Sequence, residues 1–301
     1  MKLRQLTLSI IAVGVMLGAT TQAQARGYLI MGLIPAESNE TMIQRFEPMR
    51  KYMEKKIGKK IKMFTATDYA GVIEAMRKKR VDIAWFGPLS YVLAEREAGA
   101  EAFAVGVRKS TGKSGYRSLF VIPGDSSVKS QKSGECTAES LKPFKGKSVA
   151  FVDPASTSGS LVPTYLVKKA IGMMPKKFFG KFTYAGSHDA SEMAVRNKTV
   201  DIAADNDITY PMMLKKGLIT KQSNRVLCYS NMIPGSPLTY RKDLPTDIKR
   251  KIRDAILYAQ YNIKVSGYGD LSKYAATAPS DYQQIRDLVK ELGLGRDDIL
   301  K

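Results

Sequence analysis

Residues 149–159 read VAFVDPASTSG, an apolar run followed at once by a cluster of hydroxyl side chains. The apolar half predicts a buried strand, and a helix over residues 158–169 is predicted to follow. The first turn of a helix has unpaired backbone N–H groups and lies at the positive end of the helix dipole. Ser156, Thr157 and Ser158 add hydroxyl donors, and Gly159 permits close backbone approach. The pattern predicts an oxyanion-binding turn between strand and helix.

Two other interpretations of this turn are a nucleotide-binding P-loop and an ordinary helix cap. It lacks the Gly-Lys-Ser/Thr ending of a nucleotide-binding P-loop, so a nucleotide triphosphatase is not predicted. An ordinary Ser/Thr helix cap with a small loop is the remaining alternative, because hydroxyl residues are the preferred caps.

Strands and helices alternate on both sides of this segment. Upstream, strands are predicted at 28–33, 61–66 and 81–86, separated by helices at 38–57 and 69–79. The alternation restarts at 147–152 and continues to a strand at 200–204. Such alternation is typical of mostly parallel sheets with crossover helices, so two α/β lobes are predicted.

An internal repeat supports the two lobes. Shifting the chain by the separation of Asp82 and Asp201 aligns AxRxKxVDIA at 75–84 with the same pattern at 194–203. The shift also places Tyr69 on His188 and Tyr91 on Tyr210. A chance match of two amphipathic helices is the alternative. Since open α/β sheets bind ligands at loops after their strands, Tyr69 and His188 are predicted to face one cleft.

Two segments are predicted to cross between the lobes. Residues 116–123 are predicted to be a strand that leaves the first lobe, and residues 232–240, which contain two prolines and a glycine, form the return. Lobe 1 is therefore assigned to 26–120 plus 236–301, and lobe 2 to 121–235. The stretch from Asp243 onward is predicted to be helical and to pack on lobe 1. Two crossings form a hinge.

The first 25 residues have the pattern of a secretory signal peptide. Lys2 and Arg4 precede an apolar run at 6–19, and Ala23-Gln24-Ala25 is a small-residue cleavage signal. A membrane anchor is the alternative, but the apolar run is short for a span of ~20 residues. We therefore expect export, and a mature chain that is soluble in the periplasm.

The composition of the chain limits which kinds of site and partner are expected. The chain has 301 residues, two cysteines and one histidine, too few for a Cys/His zinc site, and no cofactor or metal is predicted. Forty-eight Lys and Arg against 28 Asp and Glu give a net charge of +20, which favours an anionic partner. The basic residues are dispersed along helices, so a solvated surface is predicted and nucleic-acid binding is not. In an oxidising compartment Cys136 and Cys228 either pair or stay as buried thiols.

Motifs in order along the chain resemble the phosphate/phosphite/phosphonate-binding (PhnD-like) family of periplasmic solute receptors. The match runs from about Gly32 to Lys242. The motifs are Phe86-Gly87-Pro88-x-x-Tyr91, Asp153-Pro154-x-Ser156-Thr157-Ser158-Gly159-x-Leu161-x-Pro163, Gly186-Ser187-His188-Asp189-Ala190-Ser191 and Val200-Asp201-Ile202-Ala203-Ala204. The resemblance implies a two-lobed type II periplasmic-binding-protein fold with an interlobe ligand cleft.

The resemblance also implies the ligand contacts. By motif position they are Tyr69, Tyr91, Ser156, Thr157, Ser158 and His188. The family often places an acidic residue after the Val-Asp-x-Ala strand, to meet a protonated ligand oxygen or a ligand amine. Here that stretch reads Asp205-Asn206-Asp207, and sequence leaves open which of the three enters the pocket.

The expected function is a non-enzymatic, monomeric periplasmic receptor that binds a small phosphorus oxyanion and delivers it to an inner-membrane ABC permease. One alternative is a sensor module of the same fold that acts on a membrane kinase. The other is a hydrolase that uses Ser156 or Ser158 with His188 and Asp189. No Gly-x-Ser-x-Gly elbow is present, which counts against the hydrolase. Sequence does not rank phosphate, phosphite and the phosphonates.

Overall fold

The computed structural model describes residues 26–131 and 134–300. The expected signal peptide, residues 1–25, lies outside the described residues. Within the described part of the chain, no helix has both the length and the apolar character needed to cross a bilayer.

Strands and helices are numbered separately along the chain. The strands are β1 (Tyr28–Leu33), β2 (Lys60–Thr65), β3 (Ile83–Trp85), β4 (Ala100–Arg108), β5 (Tyr116–Pro123), β6 (Ser148–Phe151), β7 (Lys181–Tyr184), β8 (Ile202–Asn206), β9 (Asn224–Ile233), β10 (Pro237–Arg241) and β11 (Leu271–Ala276). The α-helices are α1 (Asn39–Ile57), α2 (Tyr69–Arg77), α3 (Pro88–Ala98), α4 (Ala138–Leu141), α5 (Val162–Ile171), α6 (Pro175–Phe178), α7 (His188–Arg196), α8 (Thr209–Lys215), α9 (Thr246–Leu257), α10 (Gln283–Leu292) and α11 (Arg296–Ile299).

Each lobe is built on one mixed sheet. The first sheet has the order β11-β4-β10-β3-β1-β2 and the second β7-β6-β8-β5-β9. In the first sheet β2, β1 and β3 are parallel, and in the second β7, β6 and β8 are parallel. The other pairings are antiparallel. The prediction of mostly parallel sheets is therefore correct only for the three repeat strands of each lobe.

Helices cover the sheets and enclose the core. On α1, the buried side chains Met42, Phe46, Met49 and Met53 recur at helical spacing and form one face. Ser38 caps this helix by accepting from the Thr41 N–H, and Gly58 ends it in the left-handed conformation. The apolar periodicity of the sequence thus accounts for both the start and the packing of the helix.

The two copies of the internal repeat have the same local structure. Lys79 and Lys198, equivalent under the shift, both have positive φ, at 56° and 55°. Asp82 accepts the backbone N–H of Ile30, and Asp201 accepts that of Ser148, so each carboxylate secures the neighbouring parallel strand. The units β2-α2-β3 and β7-α7-β8 therefore place Tyr69 and His188 at equivalent helix starts.

The crossings between lobes differ from the sequence assignment at one end. All of β5 belongs to the second sheet, where it pairs with β8 and β9. The first crossing therefore lies at residues 109–115, not at 120, because Tyr116 already pairs with Ile233. The return lies at residues 234–236, between β9 and β10.

The C-terminal region also differs from its prediction. Helices α9 and α10 form as expected, but residues 271–276 are strand β11 at the edge of the first sheet, hydrogen-bonded to β4. Helix α10 packs on α3 of lobe 1 and also contacts α5 of lobe 2. The C-terminal region therefore touches both lobes.

The two cysteines are paired. Cys136 and Cys228 form a disulfide across 92 residues of lobe 2. This resolves the alternatives left open by the sequence in favour of the bonded pair.

Candidate functional site

The hydroxyl-rich turn lies at the carboxyl end of β6, where the two lobes meet. Ser156 caps the helix start, and its Oγ accepts the Gly159 N–H at 3.1 Å. A single π-helical turn, Thr157–Leu161, then leads into α5. The first intrahelical bond runs from Leu161 N–H to Ser156 C=O. The N–H groups of Thr157 and Ser158 precede this bond, so they can donate to a bound anion.

Asp153 joins this turn to the other lobe. Its Oδ1 accepts the Ala155 N–H at 2.7 Å and its Oδ2 accepts the Tyr69 N–H at 3.2 Å. Burial is the main reason why the pKa of Asp153 rises to about 6. Asp153 thus fixes the position of the turn relative to Tyr69, and it is not one of the residues that line the cavity described next.

The turn forms one wall of a space between the lobes that we call the ligand cavity. Its empty space, counted together with the solvent at its opening, is about 250 Å³. Its lining residues come from both lobes: Ile34, Ala36, Tyr69, Trp85, Gly87, Tyr116, Ser156, Thr157, Ser158, His188, Asn206, Ser236 and Tyr268. The polar members are hydroxyl, amide, indole and imidazole groups, and this lining contains no Lys, Arg, Asp or Glu.

The tyrosines are placed as neutral donors. Tyr69 is the first residue of α2 and is buried, and burial raises the pKa of its hydroxyl well above the usual value. Burial also raises the pKa of Tyr116 to about 12, against the opposing effect of Ser158, Thr157 and Ser236. Both phenols therefore keep their protons at neutral pH and can donate to an anion.

His188 begins α7 on the second-lobe side of the ligand cavity. Its backbone N–H donates to Ala36 C=O of lobe 1 at 2.9 Å. On the ring, Nδ1 lies 2.7 Å from Asp205 Oδ1, and Nε2 lies 3.5 Å from Ser158 Oγ. Burial is the largest influence on this imidazole and lowers its pKa to about 4. The ring is therefore neutral at pH 7 in the empty site.

The three residues after β8 have three different positions. Asn206 lines the ligand cavity, donates to Tyr268 Oη at 3.1 Å and accepts the Ile208 and Thr209 N–H groups. Asp205 lies behind His188, outside the cavity lining, and is fully buried. Asp207 points to the lobe interface, where it pairs with Arg108. Asn206 is thus the member of the stretch that reaches the cavity.

The structure does not bring Tyr91 to the ligand cavity. Its hydroxyl donates to Glu95 Oε1 at 3.0 Å within α3, and its ring packs against Tyr282 at a centroid distance of 4.7 Å. The reason is the rotation of α3, which directs this position toward α10. Tyr210, its repeat partner, also faces away, since its hydroxyl donates to Asn224 C=O.

Seven lining residues lie outside the predicted site set, and four of them, Trp85, Tyr116, Ser236 and Tyr268, have polar side-chain groups. Tyr116 and Ser236 adjoin the two lobe crossings, and Tyr268 lies between Gly267 and Gly269, both at positive φ. The Tyr268 ring packs against Trp85 in a tilted arrangement, with centroids 4.8 Å apart. The glycine pair around an isolated tyrosine was the signal available for Tyr268. Trp85, interpreted from sequence as core or pocket wall, is both buried and part of the lining.

Direct interlobe bonds hold the cavity closed. Leu89 N–H donates to Thr157 Oγ1 at 2.8 Å, and Ser38 N–H donates to Asp189 Oδ2 at 3.0 Å. Arg108 forms an ion pair with Asp207, and its Nη2 donates to the Asp207 C=O at 3.0 Å. The structure is therefore that of a closed cleft, whose closure is stabilised by Thr157 of the lining and by Asp189, Arg108 and Asp207 outside it.

The Asp207→Asn variant is expected to bind ligand about three- to tenfold more weakly, because the closed form loses a partly buried ion pair. Calorimetric titration measures the affinity. Glu101→Gln, which removes an ion pair with Lys249 inside lobe 1, is the matched control and should change affinity less than twofold. Equal losses in both variants would show that the Arg108 pair has no special part in closure.

The comparisons with known proteins agree with this geometry. Two α/β lobes that close over a cavity of neutral donors define a solute-binding receptor fold. The family model described as "ABC transporter, phosphonate, periplasmic substrate-binding protein" matches residues 31–282, and the chain belongs to that family. Within the described residues, no group of three or more His, Cys, Asp or Glu side chains is arranged to hold a metal ion.

Relatives of known sequence support the assignment. The chain is 34% identical over 226 residues to the phosphonates-binding periplasmic protein of Escherichia coli (strain K12), covering 75% of this chain and 64% of that protein. It is 31% identical over 240 residues to the phosphate-import protein PhnD of Mycolicibacterium smegmatis, covering 75% of this chain and 70% of that protein. The match thus spans roughly two thirds of the length of these relatives.

Solved structures share the fold. A binding protein component of an ABC phosphonate transporter from Pseudomonas aeruginosa has a TM-score of 0.76 and 32% identity, with 87% of this chain and 85% of that chain covered. A Prochlorococcus marinus protein solved in complex with methylphosphonate has a TM-score of 0.78 and 22% identity, with 89% and 98% covered. The predicted two-lobed type II periplasmic-binding-protein fold is confirmed.

Proposed function

We propose that this chain is the periplasmic receptor of an ABC importer and that it binds a small phosphorus oxyanion in the ligand cavity. The observation that carries the proposal is a cavity of N–H and O–H donors at a helix start, with no charged Lys, Arg, Asp or Glu side chain in its lining. Such donors hold a compact anion by direct hydrogen bonds and the helix dipole. The family membership and the names of the relatives supply the transporter partner and the compartment.

The proposed contacts combine sequence and structure. Of the predicted contacts, six line the cavity: Tyr69, Ser156, Thr157, Ser158, His188 and Asn206. Tyr116, Ser236 and Tyr268 join them as further polar groups. Tyr91, Asp205 and Asp207 are left out of the contact set because their side chains bind Glu95, His188 and Arg108 instead.

A second space, which adjoins the ligand cavity, bears on the ligand class. This space, the tail chamber, shares Trp85, Tyr116, Ser236 and Tyr268 with the cavity. Its further lining is Gly106, Arg108, Ser114, Ile208, Leu271 and Tyr274, which contains a guanidinium and no carboxylate. A ligand amine would lose water there without gaining an anionic partner. We therefore favour a small uncharged substituent, such as the hydrogen, hydroxyl or methyl group of phosphite, phosphate or methylphosphonate.

Calorimetric titration of the mature protein tests the proposal. Phosphite, phosphate, methylphosphonate and 2-aminoethylphosphonate form the panel, with acetate as an anion of different shape. We expect one of the first three to bind with a Kd well below about 1 mM, and the aminoethyl compound to bind at least tenfold more weakly than that ligand. Failure of all the phosphorus ligands would refute the function, whereas a preference for the amine would refute only the assignment of the tail chamber.

Thr157→Val is expected to weaken binding of the best ligand by at least about 30-fold. The change removes a hydroxyl donor and leaves the Leu89 N–H without its acceptor in the closed form, each worth about 1–3 kcal/mol when buried. Titration measures the loss, and Thr199→Val at an exposed site in lobe 2 is the matched control. An unchanged affinity would remove Thr157 from the site.

One arrangement of side chains in the site resembles that of a hydrolase. Ser158, His188 and Asp205 are ordered like a catalytic triad, with Asp205 in place of the Asp189 that the hydrolase alternative named. However, 3.5 Å from Ser158 Oγ to His188 Nε2 is long for proton abstraction. Burial also raises the pKa of Asp205 to about 8, so it is not the ionised carboxylate that a triad needs. Turnover of aryl phosphates or esters that disappears in Ser158→Ala would reverse this conclusion.

A further inference from the structure

A buried acidic cluster lies behind His188, on the side away from the ligand cavity. Asp205 ends β8, Glu192 lies one turn along α7 from His188, and Asn224 begins β9. All three side chains are 0% exposed. Asn224 Nδ2 donates to Glu192 Oε2 at 2.7 Å, and the imidazole Nδ1 lies 2.7 Å from Asp205 Oδ1. One oxygen of each carboxyl, Glu192 Oε1 and Asp205 Oδ2, has no donor among the described residues.

The two carboxyl groups need a proton between them. The negative charge of Asp205 raises the pKa of Glu192, because two ionised carboxylates close to each other in a buried site repel. Burial, the largest influence on both, raises the pKa of Glu192 well above its usual value and that of Asp205 to about 8. We call the two residues the carboxyl pair. It holds at least one proton at neutral pH.

The other charged groups near His188 are anionic. Glu37 follows β1, Asp189 begins α7 beside the histidine, and Asp153 lies in the hydroxyl-rich turn, and all three favour protonation of the ring. Glu37 is already paired with Arg45, and Asp189 accepts from Ser38 N–H and Ser187 Oγ. Desolvation outweighs these groups and lowers the pKa of His188 to about 4. A proton of the carboxyl pair on Asp205 Oδ2, one of the two oxygens without another donor, leaves Asp205 Oδ1 as an acceptor facing the ring. The neutral ring then carries its proton on Nδ1, and Nε2 is a bare acceptor.

We infer that the carboxyl pair fixes His188 as the Nδ1-protonated tautomer, so that Nε2 accepts a proton carried by the bound oxyanion. The inference rests on the proposed function and specifies the state of the ligand that the site selects: a phosphorus oxyanion with one proton on oxygen. Hydroxyls and N–H groups satisfy the remaining ligand oxygens, and the P–OH proton meets Nε2. Above the highest pKa of the free ligand, capture takes up one proton from solution. Glu192 and Asp205 are positioning residues, since they act through His188.

The single histidine makes the test direct, because ¹⁵N NMR of histidine-labelled protein reports one imidazole ring. In the ligand-free wild type at pH 7 we expect a protonated Nδ1 and an unprotonated Nε2, with no titration above about pH 5. On addition of methylphosphonate the Nε2 signal should move toward its protonated position. A free receptor with Nε2 protonated, or with a charged ring, would overturn the inference without any ligand being involved.

Two variants should change the His188 ring in different ways, one in its pKa and the other in its tautomer. In Glu192→Gln the amide donates to Asp205 and keeps it ionised, so the pKa of His188 should rise by at least one unit. In Asp205→Ala the ring loses its acceptor at Nδ1, and the Nδ1 preference should give way to the other tautomer or a mixture. Asp125→Asn, which removes an exposed carboxylate paired with Lys198, is the control and should leave the ring unchanged. Unchanged tautomers in both cluster variants would refute the role of the pair.

Ligand affinity provides a separate readout. The affinity of the wild type should fall about tenfold per pH unit above the highest pKa of the ligand, because the concentration of the singly protonated ligand falls tenfold per unit. In Glu192→Gln the alkaline decline should be unchanged, because the complex still holds one proton, whichever group carries it. Affinity should instead begin to fall on the acid side at a pH at least one unit higher than in the wild type, since a charged His188 has no free Nε2 acceptor. An identical acidic limit in wild type and variant contradicts the inference. Absence of binding at every pH would instead refute the proposed function, and the ligand-free spectra would still test the tautomer.

Discussion

Replacement of Gly159 by alanine is expected to weaken ligand binding by at least 100-fold. A Cβ built at this position would lie 2.3 Å from the Cβ of Val152 and 2.4 Å from its Cγ2. Non-bonded carbon atoms do not approach so closely, so the turn has to move away from the end of β6. The same movement would break the bond from Val152 N–H to Gly159 C=O and displace the N–H groups of Thr157 and Ser158. The donors that define the site would no longer converge.

Titration with the best phosphorus ligand measures the effect, and circular dichroism confirms that the variant is folded. We expect a loss of about 1–3 kcal/mol in stability from the overpacked turn. Gly134→Ala is the matched control, because a Cβ there has no atom within 4 Å and should be neutral in both assays. A folded Gly159→Ala variant that binds within threefold of wild type would show that the turn does not hold the ligand.

The double substitution of Cys136 and Cys228 by serine is expected to lower the stability of the protein by roughly 4 kcal/mol. The disulfide closes a loop of 92 residues, and the chain-entropy model assigns about 4.7 kcal/mol to a loop of 100 residues. For a protein of this size each kcal/mol corresponds to roughly 2–4 °C in Tm, so the melting temperature should fall by about 10 °C. The measurement is calorimetry of wild type and variant.

Ligand affinity should change less than threefold in the same variant, because neither cysteine lines the ligand cavity. Wild type treated with reductant should melt near the variant, and the variant itself should not respond to reductant. A variant that melts within 2 °C of the oxidised wild type would indicate that the covalent link contributes little beyond the noncovalent packing of lobe 2.

The two halves of the site were predictable to different degrees. The hydroxyl-rich turn is a local structure, in which a strand, a cap and a helix start follow one another within a few residues. Its donors were therefore predictable from the sequence around Ser156. The position of His188 followed from the repeat, because α2 and α7 begin at equivalent residues. Tyr91 satisfied the same repeat and still faces α10, since sequence equivalence does not give the rotation of a helix about its axis.

The sequence by itself determined the alternation of strands and helices, the internal repeat and the anion-binding turn, because each depends on residues close together in the chain or repeated along it. Only the tertiary structure decided that Asn206, and neither Asp205 nor Asp207, reaches the ligand cavity. It also brought Tyr116, Ser236 and Tyr268 to the same wall. These side chains meet only when two separately folded sheets close on each other. Their hydrogen-bond partners are then set by the packing of one lobe on the other.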